Sequence, residues 1–134
     1  MPHRSRLAVL VIDTDVKRRE AAVDFWSAAL GRARRPDDDP AARYAHLDTP
    51  PGPTLDGVLQ ATEPEHAGLH LDIETDDVEA EASRLEELGA RRRRFVKEWW
   101  VMEAPSGHVF CVIPVQTRTW PDGAVEWPDG HSPA

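Results

Sequence analysis

Two parts of the chain repeat each other, and this repeat restricts the fold more than any other feature of the sequence. Ile12-Asp13-Thr14-Asp15 matches Ile73-Glu74-Thr75-Asp76 at an offset of 61 residues. Leu30-Gly31-Arg32-Ala33-Arg34-Arg35 resembles Leu88-Gly89-Ala90-Arg91-Arg92-Arg93 at an offset of 58 residues. A self-similar period of this length indicates two copies of one supersecondary module. Because a solenoid needs three or more copies to be stable, two copies are expected to close on each other.

The second copy begins with a strand that has one apolar and one polar face. Apolar and polar residues alternate along it with the period of a half-buried strand, in the order Leu69, His70, Leu71, Asp72, Ile73, Glu74. A helix is predicted next, because Asp76 or Asp77 can cap it and Gly89 can end it. Its apolar residues, which recur at helical spacing and can cover the apolar face of the strand, are Val78, Ala82, Leu85 and Leu88. The polar face is then left for water, a ligand or a metal.

The other elements follow from similar patterns. Strands are predicted at 7–12, 43–48, 55–60, 90–96, 98–103 and 109–113, after a polar lead-in at 1–5. Asp13 and Asp15 are interpreted as helix caps, and the first helix should end at Gly31. In that helix Phe25 and Trp26 are predicted to pack in the core. Each module is therefore predicted to be a strand, a helix and three strands.

The length of 134 residues predicts a single domain that spans residues 1–134. Module one is placed at about 6–61, module two at about 67–114 and a C-terminal tail at 115–134, with a loop at 50–53 and a linker at 62–68. The tail repeats Trp-Pro-Asp-Gly at Trp120 and Trp127. Such tryptophans are predicted to pack on the body of the protein or on a second subunit, because exposed apolar surface of this size is unfavourable.

Charge and cysteine content limit the partners of the chain. The net charge of −8 argues against nucleic acid, whose phosphates need a basic surface. The basic run Arg91 to Arg94 is interpreted as the solvated start of a strand. One cysteine cannot form an internal disulfide, and no apolar run is long enough to span a membrane. A cytoplasmic location with no membrane partner is therefore predicted.

The order of several short motifs resembles a known superfamily. These motifs are Val11-Ile12-Asp13, Leu69-His70-Leu71-Asp72 and the closing turn Ala104-Pro105-Ser106-Gly107-His108-Val109-Phe110-Cys111. With the repeated modules, they resemble the single-domain glyoxalase-like proteins of the vicinal-oxygen-chelate superfamily, which includes glyoxalase I, bleomycin-resistance proteins and extradiol dioxygenases. The resemblance covers about residues 6 to 114. It implies an α+β fold in which two βαβββ modules pack into a curved mixed sheet that encloses a cleft, with the helices outside and two copies paired as a homodimer.

Metal-dependent members of this superfamily use four cleft positions. The resemblance places them at Val9 (Ala8 if the register is off by one), Gln60, His70 and Cys111. Of these, only His70 matches a ligand of the metal enzymes, because the amide of Gln60 is neutral and Val9 has no donor atom. A divalent site of the glyoxalase type needs about three or four protein N or O ligands, with enough charge among them to offset the ion. No metal or other cofactor is therefore favoured, and a divalent metal is kept as an alternative.

The main functional hypothesis is that the cleft binds a small amphipathic or aromatic molecule without a metal, as in the sequestration of a toxic compound by bleomycin-resistance proteins. The polar residues expected in this pocket are Gln60, His70 and Asp72, with Cys111 as a small buried or reactive neighbour. The apolar walls are expected from Trp26, Tyr44, Trp100 and Met102. His70 is interpreted either as a hydrogen-bonded pocket residue or as a half-buried strand histidine.

Two other functions stay open. One is an enzyme. It could be a metal-dependent lyase or isomerase resembling glyoxalase I, or a metal-dependent dioxygenase. It could also be a metal-free catalyst in which His70 is the acid or base and Asp72 or Glu74 adjusts its pKa. The other is a dimerisation or regulatory module, which a cleft filled by side chains would favour.

Overall fold

The computed structural model describes residues 2–50, 55–62 and 68–128. Three predicted segments lie partly outside this part of the chain: residues 51–53 of the loop, 63–67 of the linker and 129–134 of the tail. Within it, the secondary-structure elements follow one another as β1 (His3–Asp15), α1 (Arg19–Leu30), β2 (Tyr44–His46), β3 (Asp56–Thr62), β4 (Gly68–Thr75), α2 (Val78–Glu87), β5 (Arg91–Val96), β6 (Trp99–Glu103), β7 (Val109–Pro114) and β8 (Val125–Trp127). The strands belong to a mixed sheet that is not closed into a barrel, which confirms the predicted α+β class.

The chain divides into two compact units. The first unit comprises residues 9–70, and the second comprises the residues up to 8 together with those from 71 onward. Strands β1 and β4 each contribute to both units.

The first unit is a three-stranded part of the sheet with α1 on one face. Strand β3 pairs in parallel with β1, with Asp13 opposite Gln60, and antiparallel with β2, with Tyr44 opposite Gln60. The core between these strands and α1 is formed by Ile12, Val23, Ala45, Leu47 and Leu59, with Ala22 and Trp26 packed against it. Because side chains alternate along a strand, Asp13, Tyr44 and Gln60 point to the opposite face.

The second unit has the strand order β1-β4-β7-β6-β5, with β8 on β1. Strand β4 is parallel to β7, and β7, β6 and β5 are antiparallel neighbours. Ala82 of α2, Met102 and Val112 form its buried core, and Val78, Leu85, Ala90, Trp100 and Phe110 pack around it. The βαβββ order predicted for module two is therefore confirmed.

The sequence correctly predicts where α1 ends and where α2 begins. Gly31 follows α1 in the left-handed conformation, with φ of 65°, which glycine adopts without the steric cost of a Cβ atom. At the start of α2 the Asp77 side chain accepts a hydrogen bond from the backbone N of Ala80 at 3.0 Å. The alternative cap, Asp76, instead accepts from the backbone N of Arg4.

The predicted lead-in at 1–5 is wrong, because β1 already begins at His3. His3 and Ser5 are buried although they are polar. Strand β8 pairs with this part of β1, His3 lies within 2.8 Å of Glu81 Oε1, and Ser5 Oγ accepts from Trp127 Nε1 at 2.8 Å. These partners lie far away in the sequence, so the local pattern could not indicate them.

Three further predictions need correction. Asp13 lies in β1 and does not cap a helix, whereas Asp15 does accept from the backbone N of Lys17. Among the described residues of module one, only β2 and β3 follow α1, and the expected third strand is reduced to a single bridge between Arg34 and Leu47. Two residues of the apolar face of β4, Leu69 and Leu71, remain exposed and are not covered by a helix.

The tail packs on the body of the protein, which is one of the two arrangements that the sequence predicts. The Trp120 ring lies 5.6 Å from the guanidinium carbons of both Arg4 and Arg6. The Arg84 guanidinium lies 3.8 Å from the centre of the Trp127 ring. Contacts of this kind between a cation and an aromatic ring are stabilising.

The predicted placement of Phe25 in the core is also wrong. The exposure of its side chain leads to a stability prediction. Phe25 is 61% exposed and touches Trp26 edge-on, whereas the side chain of Val23 on the same helix is fully buried. We therefore expect Phe25→Ser to change the free energy of unfolding by less than about 0.5 kcal/mol. Val23→Ala should lower it by about 2 kcal/mol, because two buried methyl groups are lost. Urea unfolding of both variants measures the difference, and a larger loss for Phe25→Ser would contradict the packing described here.

Candidate functional site

An aspartate and a histidine form a close pair in the first unit, on the face of the sheet opposite α1. Asp13 Oδ2 lies 2.6 Å from His70 Nδ1, and the two side chains are 13% and 15% exposed. A carboxylate can only accept hydrogen bonds, so Nδ1 carries the hydrogen and donates it. The pair thus fixes the orientation of the imidazole ring and, when the ring is neutral, makes Nε2 the proton-accepting nitrogen.

Gln60 extends this pair into a network. With its amide oriented so that both of its polar atoms are satisfied, Gln60 Nε2 donates to Asp13 Oδ1 at 2.9 Å. Its carbonyl oxygen accepts from Nε and Nη2 of Arg43, each at 2.9 Å, and from the Tyr44 hydroxyl at 3.3 Å. Both oxygens of Asp13 therefore have a donor. We refer to Asp13, Arg43, Tyr44, Gln60 and His70 as the polar cluster.

The polar cluster lies at the carboxyl ends of β1 and β3. Further back along the same face, Val9, Val11 and Val58 are all buried. Tyr44 and Arg43 are exposed, and Asp13, Gln60 and His70 are half-buried. This end of the face is therefore where a molecule from solvent can reach polar side chains in the first unit.

A buried arginine holds the segment that carries Arg43 and Tyr44. Arg19 donates to the backbone oxygens of Asp39, Ala42 and Tyr44 at 3.0, 2.8 and 3.3 Å, and to Asp38 Oδ1 at 2.8 Å. The hydrogen bond from Arg19 outweighs burial and lowers the pKa of Asp38, and the same bond raises the pKa of Arg19. Both groups are charged near neutral pH, so the segment is held by an ion pair as well as by hydrogen bonds.

A small open pocket of about 140 Å³ adjoins the polar cluster through Tyr44. Its lining residues are Arg35, Asp37, Asp38, Asp39, Ala42, Tyr44 and His46. Burial and the nearby charge of Arg35 lower the pKa of His46, so this histidine is neutral at pH 7.

The other residues predicted to line a pocket lie in the second unit, on two different faces of the sheet. Asp72 is half-buried and pairs in register with Cys111, which is buried as a small side chain. Met102 is fully buried in the core beneath α2, and Trp100 packs at its edge, where Nε1 donates to Glu79 Oε2 at 3.3 Å. Trp100 and Met102 are thus on the α2 side, and Trp26, which belongs to α1 in the first unit, packs against the core between α1 and its strands. Of the predicted aromatic walls, Tyr44 contacts Gln60 through its hydroxyl, at 3.3 Å.

The sequence analysis did not identify Asp13 or Arg43 as site residues. For Asp13 a signal was present, because the repeat aligns it with Glu74 and the alternation of β1 places it on the same face as Val9 and Val11. Glu74 is the corresponding acid of the second unit, where Arg6 Nη2 lies 2.6 Å from its Oε1. The sequence contains no comparable signal for Arg43.

Comparisons with known proteins show the family of this chain. The family model described as "Glyoxalase-like domain" matches residues 9–113. The chain belongs to this family. The glyoxalase-like domain is thus a member of the vicinal-oxygen-chelate superfamily, as its motifs predicted, while a search of the curated proteins found no match.

Solved structures show the same fold as this glyoxalase-like domain. A hypothetical protein from Bacillus halodurans C-125 is 13% identical, with a TM-score of 0.60 over 86% of this chain and 97% of its own. A glyoxalase/bleomycin resistance protein/dioxygenase superfamily member from Vibrio splendidus 12B01 is 17% identical, with a TM-score of 0.53 over 82% and 97%. A protein described as NAD-dependent benzaldehyde dehydrogenase from Legionella pneumophila is 15% identical, with a TM-score of 0.56 over 80% and 99%. At these identities the likeness concerns the fold alone.

Two of the four positions that metal-dependent relatives use offer no available donor atom in this glyoxalase-like domain. Val9 is buried and has no donor atom, and both amide atoms of Gln60 are engaged by Asp13 and Arg43. His70 directs Nδ1 at Asp13. Of the other two positions, His70 and Cys111 are residue types that bind metals, whereas a divalent site needs about three or four ligands. Neither helix of the described part of the chain is long and apolar enough to cross a membrane.

Proposed function

We propose that this glyoxalase-like domain binds a small organic molecule at the polar cluster without a metal. The observation that carries the proposal is the fixed network in which Asp13 accepts from both His70 and Gln60, at 2.6 and 2.9 Å. Ligand sites typically combine a few polar groups that are already oriented with apolar surface around them. Because the network holds the His70 ring and the Gln60 amide in place, little conformational entropy is lost when a ligand binds.

The chemistry of the polar cluster describes the ligand. Arg43 offers a cation, His70 offers a ring nitrogen, and the Tyr44 ring, with the Arg43 guanidinium carbon 6.0 Å from its centre, offers an aromatic face. An amphipathic molecule with an aromatic ring and an oxygen acceptor matches these groups. This description agrees with the amphipathic or aromatic ligand expected from the sequence. Sequestration of such a molecule is the simplest role, since it needs no further chemistry.

Thermal-shift screening of small aromatic compounds tests the proposal. A compound at 100 times its Kd should stabilise the protein by about 2.7 kcal/mol, which corresponds to a rise in Tm of several degrees. We expect Asp13→Asn and His70→Asn to lose this rise. His108→Asn should keep it, because His108 is exposed in a turn, where its Nδ1 lies 2.8 Å from Ser106 Oγ. Equal shifts in all four proteins would exclude the polar cluster as the site.

Metal analysis of the protein purified without chelator tests the second part of the proposal. His70, Asp72 and Cys111 are residue types that bind zinc, so zinc, nickel, iron and manganese should each be scored per chain. We expect less than about one-tenth of an ion per chain, and binding in the screen that survives treatment with EDTA. Near-stoichiometric metal that is lost in both His70→Asn and Cys111→Ser would overturn the metal-free assignment and favour the metal-dependent lyase, isomerase or dioxygenase alternative.

The cytoplasmic location and the pairing of two copies remain predictions. Light scattering during size-exclusion chromatography would distinguish a chain of 15.0 kDa from a dimer of twice that mass. The absence of nucleic acid from the partners likewise rests on the net charge of −8.

A further inference from the structure

We infer that Arg43 is an anion-binding group, and that the molecule bound at the polar cluster is an aromatic carboxylate whose negative group pairs with the Arg43 guanidinium. The inference rests on the proposed function, because it concerns the ligand of that same site. It goes beyond that function by naming the charge of the ligand and the residue that selects for it. All the residues that carry the argument belong to the first unit.

Arg43 differs from Arg19 and Arg34 in the kind of partner that it binds. Its Nε and Nη2 both donate to the carbonyl oxygen of Gln60, which is a neutral group, each at 2.9 Å. Arg19 and Arg34 instead form ion pairs with carboxylates. Within the described part of the chain, no carboxylate forms an ion pair with Arg43. Its positive charge is therefore not offset by a direct partner of opposite charge.

The guanidinium of Arg43 also keeps hydrogen-bond donors for a ligand. An arginine carries five N–H groups in a planar fork. The Gln60 oxygen accepts from the one on Nε and from one of the two on Nη2. The remaining three, both on Nη1 and the second on Nη2, form no hydrogen bond with another residue that the structure describes. Nη1 and Nη2 together present two parallel N–H groups, which match the two oxygens of a carboxylate.

The position of this guanidinium is fixed before a ligand arrives. The backbone oxygen of Arg43 accepts from the backbone N of Ala61 at 2.7 Å, and Arg19 holds the backbone oxygens of both neighbouring residues. The Gln60 amide holds the side chain, and Asp13 orients that amide from its other end. An anion therefore meets a cation whose rotamer is already set, so little side-chain entropy is lost on binding.

The aromatic part of the ligand is inferred from Tyr44. Its side chain is exposed, and the Arg43 guanidinium carbon lies 6.0 Å from the centre of its ring. The two groups are thus close enough for one small molecule to contact both an aromatic face and the cation. The pocket that adjoins Tyr44 is lined by three aspartates and one arginine. Its negative charge directs the carboxylate of the ligand to Arg43 and away from the pocket.

Isothermal titration calorimetry with three planar ligands of nearly equal shape tests the inference. Benzoate, benzamide and benzamidine share one ring and carry a negative charge, no charge and a positive charge. We expect benzoate to bind at least about tenfold more tightly than benzamide, because a hydrogen bond between charged groups is stronger than one to a neutral group. Benzamidine should bind most weakly. Raising the salt concentration should weaken benzoate binding and leave benzamide binding unchanged.

Substitutions identify the source of this preference. Arg43→Gln should lower the ratio of benzoate affinity to benzamide affinity to about one, whereas a merely structural role would weaken both ligands alike and keep the ratio. Arg43→Lys should give an intermediate ratio, because it keeps the charge and loses the planar fork. Arg94→Gln is the matched control, since Arg94 is an exposed arginine of β5 in the second unit. It should leave both affinities unchanged, and circular dichroism checks that each variant is folded.

Three results would overturn the inference. The first is wild-type binding of benzamide as tight as that of benzoate, and the second is an unchanged affinity ratio in Arg43→Gln. The third is tightest binding of benzamidine, which would mean that the aspartates of the adjoining pocket select a cation.

The neutral ligand separates these failures from failure of the proposed function. If benzamide binds without a preference for benzoate, and His70→Asn abolishes its binding, the polar cluster is a ligand site and only the charge selection is wrong. If none of the three ligands binds, the inference falls. The proposed function falls with it if the wider screen of aromatic compounds also finds no ligand that depends on Asp13 and His70.

Discussion

Replacement of Glu74 by glutamine should lower the free energy of unfolding by about 3 to 5 kcal/mol, the usual cost of removing one member of a buried ion pair. Glu74 is fully buried, and Arg6 Nη2 lies 2.6 Å from its Oε1. Its Oε2 accepts from the backbone N atoms of Gln116 and Thr117 at 3.1 and 3.2 Å. Glutamine keeps the shape of the side chain but leaves the Arg6 cation without its counter-charge. Since whole domains are stable by about 5 to 15 kcal/mol, this one change should remove a large part of the total.

Urea unfolding followed by circular dichroism measures the effect, and Glu103→Gln is the matched control. Glu103 also pairs with arginines, Arg91 and Arg93, but these lie at the surface, so its loss should cost less than about 1 kcal/mol. A double variant, Arg6→Met with Glu74→Gln, should be more stable than Glu74→Gln alone, because no charge is then left buried. Similar losses for Glu74→Gln and Glu103→Gln would show that burial of the ion pair is not what makes it important.

Arg19→Met is expected to cost about 3 kcal/mol or more and to weaken ligand binding at the polar cluster. The side chain of Arg19 is almost fully buried and holds three backbone carbonyls and the Asp38 carboxylate. Methionine fills similar space but leaves these acceptors unsatisfied, and Arg43 and Tyr44 belong to the segment that they fix. Arg19→Lys should recover little, because an ammonium group cannot reach several acceptors in the plane of a guanidinium fork.

The measurement is denaturant unfolding together with the thermal-shift response to a ligand found in the screen. Arg34→Met is the control, since Arg34 pairs with Glu20, Asp24 and Asp38 but is one-third exposed and contacts no backbone carbonyl among the hydrogen bonds described. It should cost about 1 kcal/mol or less and leave ligand binding unchanged. Loss of binding in Arg34→Met, or full binding in Arg19→Met, would show that Arg19 does not position the polar cluster.

Arg19 also gives the stability a defined pH dependence. Its hydrogen bond lowers the pKa of Asp38 in the folded protein below the ordinary value of 3.8. The ion pair therefore contributes fully above that value, and its contribution is lost as the pH falls through the lower folded pKa. Below pH 4 the wild type should lose stability more steeply than Arg19→Met, in which Asp38 has lost this partner.

The elements that the sequence predicts well are those whose signals are local. The cap at Asp77 and the glycine at Gly31 act within one turn of their helices, so residue type and spacing were sufficient to predict the helix ends. The polar start of β1 was missed for the opposite reason. His3 and Ser5 are buried only because Glu81 and Trp127 satisfy them from distant parts of the sequence.

The candidate site was predicted in part. Its other residues were not predicted because their roles depend on partners that are distant in the sequence. Gln60 and His70 were found because their strands alternate clearly and the family resemblance pointed to them. Asp13 can cap a helix or extend a strand with equal ease, and only the pairing of β1 with β3 as far as Asp15 decides between the two. Burial of charged residues such as Arg19 and Glu74 depends on partners that no local pattern reveals.

The pairing of β1 with β8 has a consequence for how the protein is made. Ser5 and Trp127 are 122 residues apart in the chain. A ribosome adds about 5 to 20 residues per second, so the start of β1 waits on the order of ten seconds before its partner strand exists. During this interval the edge that β8 later occupies exposes unpaired backbone groups, which form a template for pairing with another extended chain. The second unit therefore finishes folding late, after the segment that ends the described chain has left the ribosome.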